Sequence, residues 1–339
     1  MISHSLSGLA VAASIAVAMP AGAVDVRGAG ATFPAPLYEA WIDSFADRRA
    51  DVSVTYDAVG SGEGIRRFTA GEVDFGASDA AMTDAEIADV DGNVRMIPAT
   101  AGMVALAYNL PDLDGPLKLS REVLAGIFLG EITHWQDERI KALNPGVELP
   151  SLTVARVVRR DASGTTFAFT NHLSAISDAW AERYGAAQLV DWPGLAMTAI
   201  GNEGVAGRIN VSWGAIGYVE QGFAARLDLP VAHLENAAGN VVAPSPETGQ
   251  AALAAAVDDM PANLRQFMPD PPGANAYPVV TYSWLLLRRD YDDAAVGTAV
   301  RDFVRFGLTE GQAVAAALGY IPLPASVGDR GLRALGLVN

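Results

Sequence analysis

Short β-rich runs alternate with helical periodicities along this chain. Residues 52–56, 74–78, 103–108, 154–158, 215–219 and 279–287 combine β-branched, aromatic and apolar residues and read as strands. Helical patterns lie between them. Thr83 followed by Glu86, and Thr309 followed by Gln312, have the spacing of a capping box and predict helix starts at those points. Strands alternating with helices predict α/β, doubly wound sheets, whose ligands sit beyond the carboxyl ends of strands where loops lead into helix N-termini. At 339 residues the chain exceeds the ~250 at which single cores stop growing, so two packed units are expected.

The N-terminal pattern is different. Residues 1–23 carry no Asp, Glu, Lys or Arg, run apolar from Leu9 to Met19 and end in Ala21-Gly22-Ala23, which reads as an export signal cleaved near Ala23, although the usual basic start is missing. The apolar run is about half the ~20 residues a membrane-spanning helix needs. With no cysteine there is no disulfide, no thiolate metal site and no lipid-bearing cysteine at the cleavage point. The net charge of −16 falls entirely on the mature part and argues against nucleic acid or an anionic membrane as partner.

Three loops combine small residues, hydroxyls and a predicted helix start. The first runs from Gly28 to Pro36, ahead of an amphipathic stretch at 37–45. The second is Gly60-Ser61-Gly62-Glu63-Gly64, after the strand at 52–56. The third is Arg159-Arg160-Asp161-Ala162-Ser163-Gly164-Thr165-Thr166, after the strand at 154–158. A helix N-terminus offers unpaired N–H groups and partial positive charge, and a Ser or Thr adds a hydroxyl donor, so each loop suits an anion. Taken singly, Ser61 or Ser163 also reads as an ordinary N-cap.

Asp79 closes the strand at 74–78 and is expected to leave its carboxylate accessible from above. By itself it reads as a turn or cap residue. Beside an anion site, an ionised carboxylate accepts hydrogen bonds only, so it favours an oxyanion that still carries a proton. Phosphate near neutral pH has one and sulfate has none.

Three of these segments, Gly28-Ala-Gly-Ala-Thr-Phe-Pro-Ala-Pro36, Asp74-Phe-Gly-Ala-Ser-Asp79 and Arg159-x-Asp-x-Ser-Gly-Thr165, together resemble the periplasmic phosphate-binding proteins of ABC importers. The resemblance extends through Leu143-Asn-Pro-Gly-Val-Glu-Leu-Pro150, Gly201-Asn-Glu-Gly204 and Gly214-Ala-Ile-Gly-Tyr-Val-Glu220, nearly the whole mature chain. It implies a two-lobed periplasmic binding protein of the type II kind, with lobe I from 24–100 plus 281–339 and lobe II from 101–280. The hinge would be two crossings near 101–106 and 278–285. Phosphate would be held by Thr32, Phe33 through its backbone N–H, Ser61 and Asp79 from one lobe, and by Arg159, Ser163, Gly164 and Thr165 from the other. Arg159 would be the sole full positive charge on the ion, with Asp161 fixing its orientation. The same resemblance implies no metal, no cofactor and no catalysis. It also implies a periplasmic monomer that delivers phosphate to the permease and ATPase subunits of an importer. Recognition by dipoles would make binding only modestly sensitive to salt, because surface carboxylates are screened over ~8 Å.

Two positions depart from the family pattern. Glu63 stands where relatives often have a small or other residue and is expected to face solvent on the first helical turn; Ala162 replaces a common glycine, which requires a backbone compatible with a Cβ. Two other readings of the same loops are a secreted phosphoesterase and a receptor for sulfate, molybdate or another oxyanion. The first lacks catalytic apparatus: the histidines are His4, His134, His172 and His233, with no metalloprotease-like spacing and no G-x-S-x-G elbow. His134 is expected on a surface turn and His172 on a helix. Asp79 argues against the second.

Overall fold

The computed structural model describes residues 23–337; the export signal expected at 1–23 lies outside them but for its last residue, Ala23. Eleven strands form among these residues: β1 (Val24–Gly30), β2 (Val52–Ala58), β3 (Phe75–Ser78), β4 (Arg95–Asn109), β5 (Lys118–Leu119), β6 (Ala155–Arg159), β7 (Met197–Ala199), β8 (Ala215–Glu220), β9 (His233–Glu235), β10 (Val241–Val242) and β11 (Val280–Leu287). Eight join in one sheet in the order β2-β1-β3-β11-β4-β8-β6-β7, and β10-β9-β5 form a small second sheet. At one end β1, β2 and β3 are parallel; at the other β6, β7 and β8 are parallel. Antiparallel β11 and β4 join these two parallel groups.

The long strand β4 changes partner along its length. Arg95–Met103 lies against β11 and Val104–Asn109 against β8, so one continuous strand passes from one half of the molecule to the other. Only its second part was expected. Pro98 and Gly102 weaken the strand signal in the first part, and the structure tolerates the proline at an irregularity opposite Ser283 and Trp284. Gly28–Gly30, expected within a loop, is the end of β1. A Cβ on Gly28 would lie 2.1 Å from the Phe75 ring, and Gly30 has φ +151° with its would-be Cβ 2.0 Å from the Ala77 carbonyl oxygen. These glycines let β1 pass close to β3.

The apolar interior is more continuous than two separate cores. One cluster runs from Val26, Phe75 and Phe303 through β11 and β4 to Phe128, Phe169 and Tyr218. A smaller cluster of Ala107, Val157, Val205, Ile209 and Val219 packs on the opposite face of β4, β6 and β8, as strand alternation requires. Thr83 forms the expected capping box with Glu86. At Thr309 a short 3-10 helix, Glu310–Val314, does begin, but without the box: Thr309 also ends the helix Ala294–Leu308, its hydroxyl donates to the Arg305 carbonyl, and Gln312 reaches the Ala99 and Gly307 carbonyls instead. Competition from tertiary acceptors defeats the local motif. Among the described residues no helix is long and apolar enough to cross a membrane.

His172 lies on the helix Gly164–Ile176 but is fully buried. Its Nδ1 sits 2.7 Å from the Pro269 carbonyl and its Nε2 has no partner among the described residues. The carbonyl requires Nδ1 to be the donor; burial favours the neutral ring and lowers the pKa to about 4, outweighing the opposite effect of that hydrogen bond. A base depressed in this way contributes its full stability above the unfolded value near 6.5 and loses it as pH falls toward 4. The stability difference between wild type and His172→Gln, measured by urea unfolding, is therefore expected to stay flat above about pH 7 and to shift against wild type by up to ~3 kcal/mol on acidification. An equal difference at pH 7 and pH 4.5 would refute the assignment.

Candidate functional site: a buried cage between the two halves

The carboxyl ends of β1, β2 and β3 from one half face the carboxyl end of β6 from the other. The loop after β1 turns at Thr32 and Phe33 into the helix Ala35–Ala46, and Pro at its start suits a position where no N–H is needed. Its carbonyls are tied back: Tyr56 Oη donates to Ala31 O at 2.7 Å and Tyr320 Oη to Phe33 O at 2.6 Å. The helix Ser61–Thr69 follows Gly60, whose φ of +98° makes the abrupt turn from β2. Ser61 does not cap its own helix; its Oγ accepts the Asp79 N–H at 3.2 Å. Ser163 does cap the helix Gly164–Ile176, accepting the Thr166 N–H at 3.1 Å. Each of these Oγ atoms, in accepting an N–H, keeps its own proton for another partner.

Thr32, Phe33, Ser61, Asp79, Arg159, Ser163 and Thr165 are all buried, and they converge. Gly164 packs directly on Ser61 and Asp79; a Cβ there would lie 2.5 Å from Ser61 Oγ and 2.6 Å from Asp79 Cβ. Across the same junction Gly62 N–H donates to Ala162 O at 3.1 Å. Asp79 is consequently not accessible from above, as the strand pattern implied. The opposing helix start covers it and leaves it 1% exposed. Burial raises its pKa to about 7, against the lowering effects of the Ser283 hydroxyl, which donates to Oδ1 at 2.7 Å, of the Arg159 charge and of Ser61. A carboxyl so placed lacks solvent and favours any arrangement that brings it a proton.

Arg159 is 3% exposed. Its Nε donates to Asp161 Oδ1 at 2.8 Å and its Nη2 to Asp161 Oδ2, while Nη1 is buried and has no partner among the described residues. Burial pushes Asp161 up, but the guanidinium outweighs it and holds the carboxyl below the usual range. The pair thus fixes one edge of the guanidinium and leaves Nη1 on the other edge without an acceptor among the described residues, where an unpaired buried charged donor costs several kcal/mol. That edge of the guanidinium suits an anionic acceptor.

The two departures from the family pattern are accommodated. Glu63 is partly exposed and paired with Arg66 at 2.8 Å and Arg67 at 2.8 Å, whose hydrogen bonds pull its pKa to about 2. Ala162 is not among the residues with positive φ. Outside the cage a cleft of about 580 Å³ separates the halves, lined by Thr32, Pro36 and Glu39 on one side and by Gly201, Glu203 and Arg226 on the other. His134 is exposed, as expected, and His172 contacts Pro269 rather than the cage. No group of acidic, His or Cys side chains suited to a metal ion occurs among the described residues.

The PBP superfamily domain matches residues 16–310. A phosphate-binding protein PstS of Pasteurella multocida is 38% identical over 311 residues, covering 91% of this chain and 89% of its own. The chain belongs to the phosphate-binding protein family. A further member from Methanocaldococcus jannaschii is 37% identical over 336 residues, covering 93% of this chain and 86% of its own. Among solved structures, a high-affinity periplasmic phosphate-binding protein with phosphate bound shares the two-lobed fold at a TM-score of 0.75 with 24% identity, covering 91% of this chain and 93% of its own.

Several residues around the cage are not apparent from the loop motifs. Ser283 reaches Asp79 from the apolar strand β11, Tyr218 Oη accepts the Arg159 N–H at 3.1 Å and pairs with Thr166, and Asn202 lies between Thr32 and Thr165. The only sequence signal for Ser283 and Tyr218 is a polar atom inside a run that otherwise reads as core. Asn202 falls within the Gly201-Asn-Glu-Gly204 segment, with nothing in its neighbourhood to state its role.

Proposed function

We propose that this protein captures inorganic phosphate in the buried cage and presents it to the permease and ATPase subunits of an ABC importer, without catalysis. The buried Nη1 of Arg159 carries this reading: an anion supplies the acceptor that the described residues do not. Thr32, the Phe33 N–H, Ser61 and Asp79 act from lobe I (24–100 plus 281–339). Arg159, Ser163, the Gly164 N–H and Thr165 act from lobe II (101–280). The ion bonds to both lobes at once only when they are closed, so it favours the closed form by those contacts, with β4 and β11 as the crossings about which the lobes part. The protein works as an exported periplasmic monomer with no cofactor.

Asp79 sets the choice of ion. A protonated phosphate oxygen donates to its ionised carboxylate, whereas sulfate meets that carboxylate with an acceptor and leaves the facing carboxylate oxygen and its own oxygen unpaired, a cost of ~3 kcal/mol or more. Calorimetric titration is expected to show phosphate binding, sulfate weaker by at least ~100-fold, and only modest weakening when salt rises from low to physiological strength. Equal competition by sulfate would reject the role given to Asp79. Turnover of simple phosphate monoesters would instead favour a phosphoesterase.

A further inference from the structure

Asn202 is fully buried at the start of the helix Gly201–Asn210 and makes bonds to three segments. Its Oδ1 accepts the Glu220 N–H at 2.8 Å, which settles the orientation of the amide, because only oxygen can receive that donor. The nitrogen must then point the other way. Nδ2 donates to Thr32 Oγ1 at 2.9 Å and to Thr165 Oγ1 at 3.1 Å, and the Asn202 backbone N–H donates to Thr32 Oγ1 at 3.2 Å.

A hydroxyl has one proton and two lone pairs. Thr32 Oγ1 accepts twice, so both lone pairs are engaged and its proton is left for a different partner. Thr165 Oγ1 accepts from the same amide and is likewise biased to donate elsewhere. The two threonines come from opposite halves of the molecule. We infer that Asn202 is a positioning residue that turns the Thr32 and Thr165 hydroxyls into donors toward the bound anion, and joins the halves in doing so, without touching the ion. The inference rests on the phosphate cage proposed above. It explains how a site built largely from hydroxyls, each able to turn a lone pair toward an anion, presents protons instead: the Glu220 N–H fixes Asn202, and Asn202 fixes the threonines.

The test compares phosphate titrations of the full chain, wild type first. Absence of phosphate binding by wild type would sink the cage itself and is distinguishable from failure of this inference. Asn202→Ala is expected to weaken phosphate binding by about 10-fold in the wild-type background but by no more than about 2-fold in the Thr32→Val, Thr165→Val background, where no hydroxyl remains to orient. Asn202→Asp keeps the acceptor for Glu220 N–H, so it preserves the strand contact. It puts an acceptor where Nδ2 was and draws the threonine protons away from the ion, with an expected loss of at least about 100-fold. That variant also keeps the test open should Asn202→Ala fold poorly. Wild-type affinity in either Asn202 variant, or the same loss from Asn202→Ala in both backgrounds, would overturn the inference; the second outcome would mean that Asn202 contacts the ion itself or acts only as a support.

Discussion

Arg159→Ala is expected to lower phosphate affinity by a factor between about 30 and several thousand, corresponding to the ~2–5 kcal/mol lost when one member of a buried, hydrogen-bonded charge pair is truncated. Two effects combine. The ion loses charge-assisted bonds from the guanidinium edge that has no partner among the described residues. It also gains a neighbour of its own sign, because Asp161 then stands without the Nε and Nη2 donors that neutralise it. The two contributions separate experimentally: adding Asp161→Asn to Arg159→Ala should restore part of the lost affinity by removing the stranded carboxylate. In wild type, by contrast, Asp161→Asn should weaken binding, since the guanidinium loses the fork that holds it and Asp161 also accepts the Gly201 N–H at 3.2 Å. Calorimetry on the four proteins checks the sign of each step. An Arg159→Ala protein with wild-type affinity would exclude the guanidinium from the site.

The parts of the site visible in the sequence are those whose chemistry is local. Gly60-Ser61 and Ser163-Gly164-Thr165 pair a hydroxyl with a glycine at a helix start, so a few adjacent residues announce both the turn and the donors. What the sequence conceals acts over long separations. Asn202 and Thr32 are 170 positions apart, and Ser283 and Asp79 are 204 apart. No local pattern records such a pair. The same limit applies to the fold: residues 215–219 and 279–287 carry apolar and β-branched side chains in short runs and are legible, but the first part of β4 is hidden by Pro98 and Gly102 because the strand β11 that accommodates them is distant in sequence. Burial is also nonlocal. Asp79 follows a strand and looks open from its neighbours, and only the docking of Gly164 against it reveals the enclosed carboxyl whose pKa rises to about 7.

Gly164 carries the other large expected effect, and there a single methyl group distinguishes closure from folding. The residue begins its helix just after the Ser163 cap, where alanine is acceptable to the backbone. In the closed arrangement, however, its Cβ would lie 2.5 Å from Ser61 Oγ, 2.6 Å from Asp79 Cβ and 2.7 Å from Asp79 N, distances that no real Cβ contact tolerates. Ser61 and Asp79 belong to the opposite half and are themselves fully packed, so the strain is relieved by parting the halves. Gly164→Ala is therefore expected to keep or slightly raise the stability of the ligand-free protein, by the ~0.4–1 kcal/mol typical of such a replacement. The same change should weaken phosphate binding by at least about 100-fold, the ~2.7 kcal/mol carried by a pair of charge-assisted hydrogen bonds made only on closure. Thermal unfolding without phosphate, titration with phosphate, and small-angle scattering on the same sample check the three parts. Wild type should contract when saturated with phosphate and the variant should not. Tight binding with normal contraction would show that the two halves do not meet at Gly164 when the ion is held, and would remove the steric basis for a cage completed by closure.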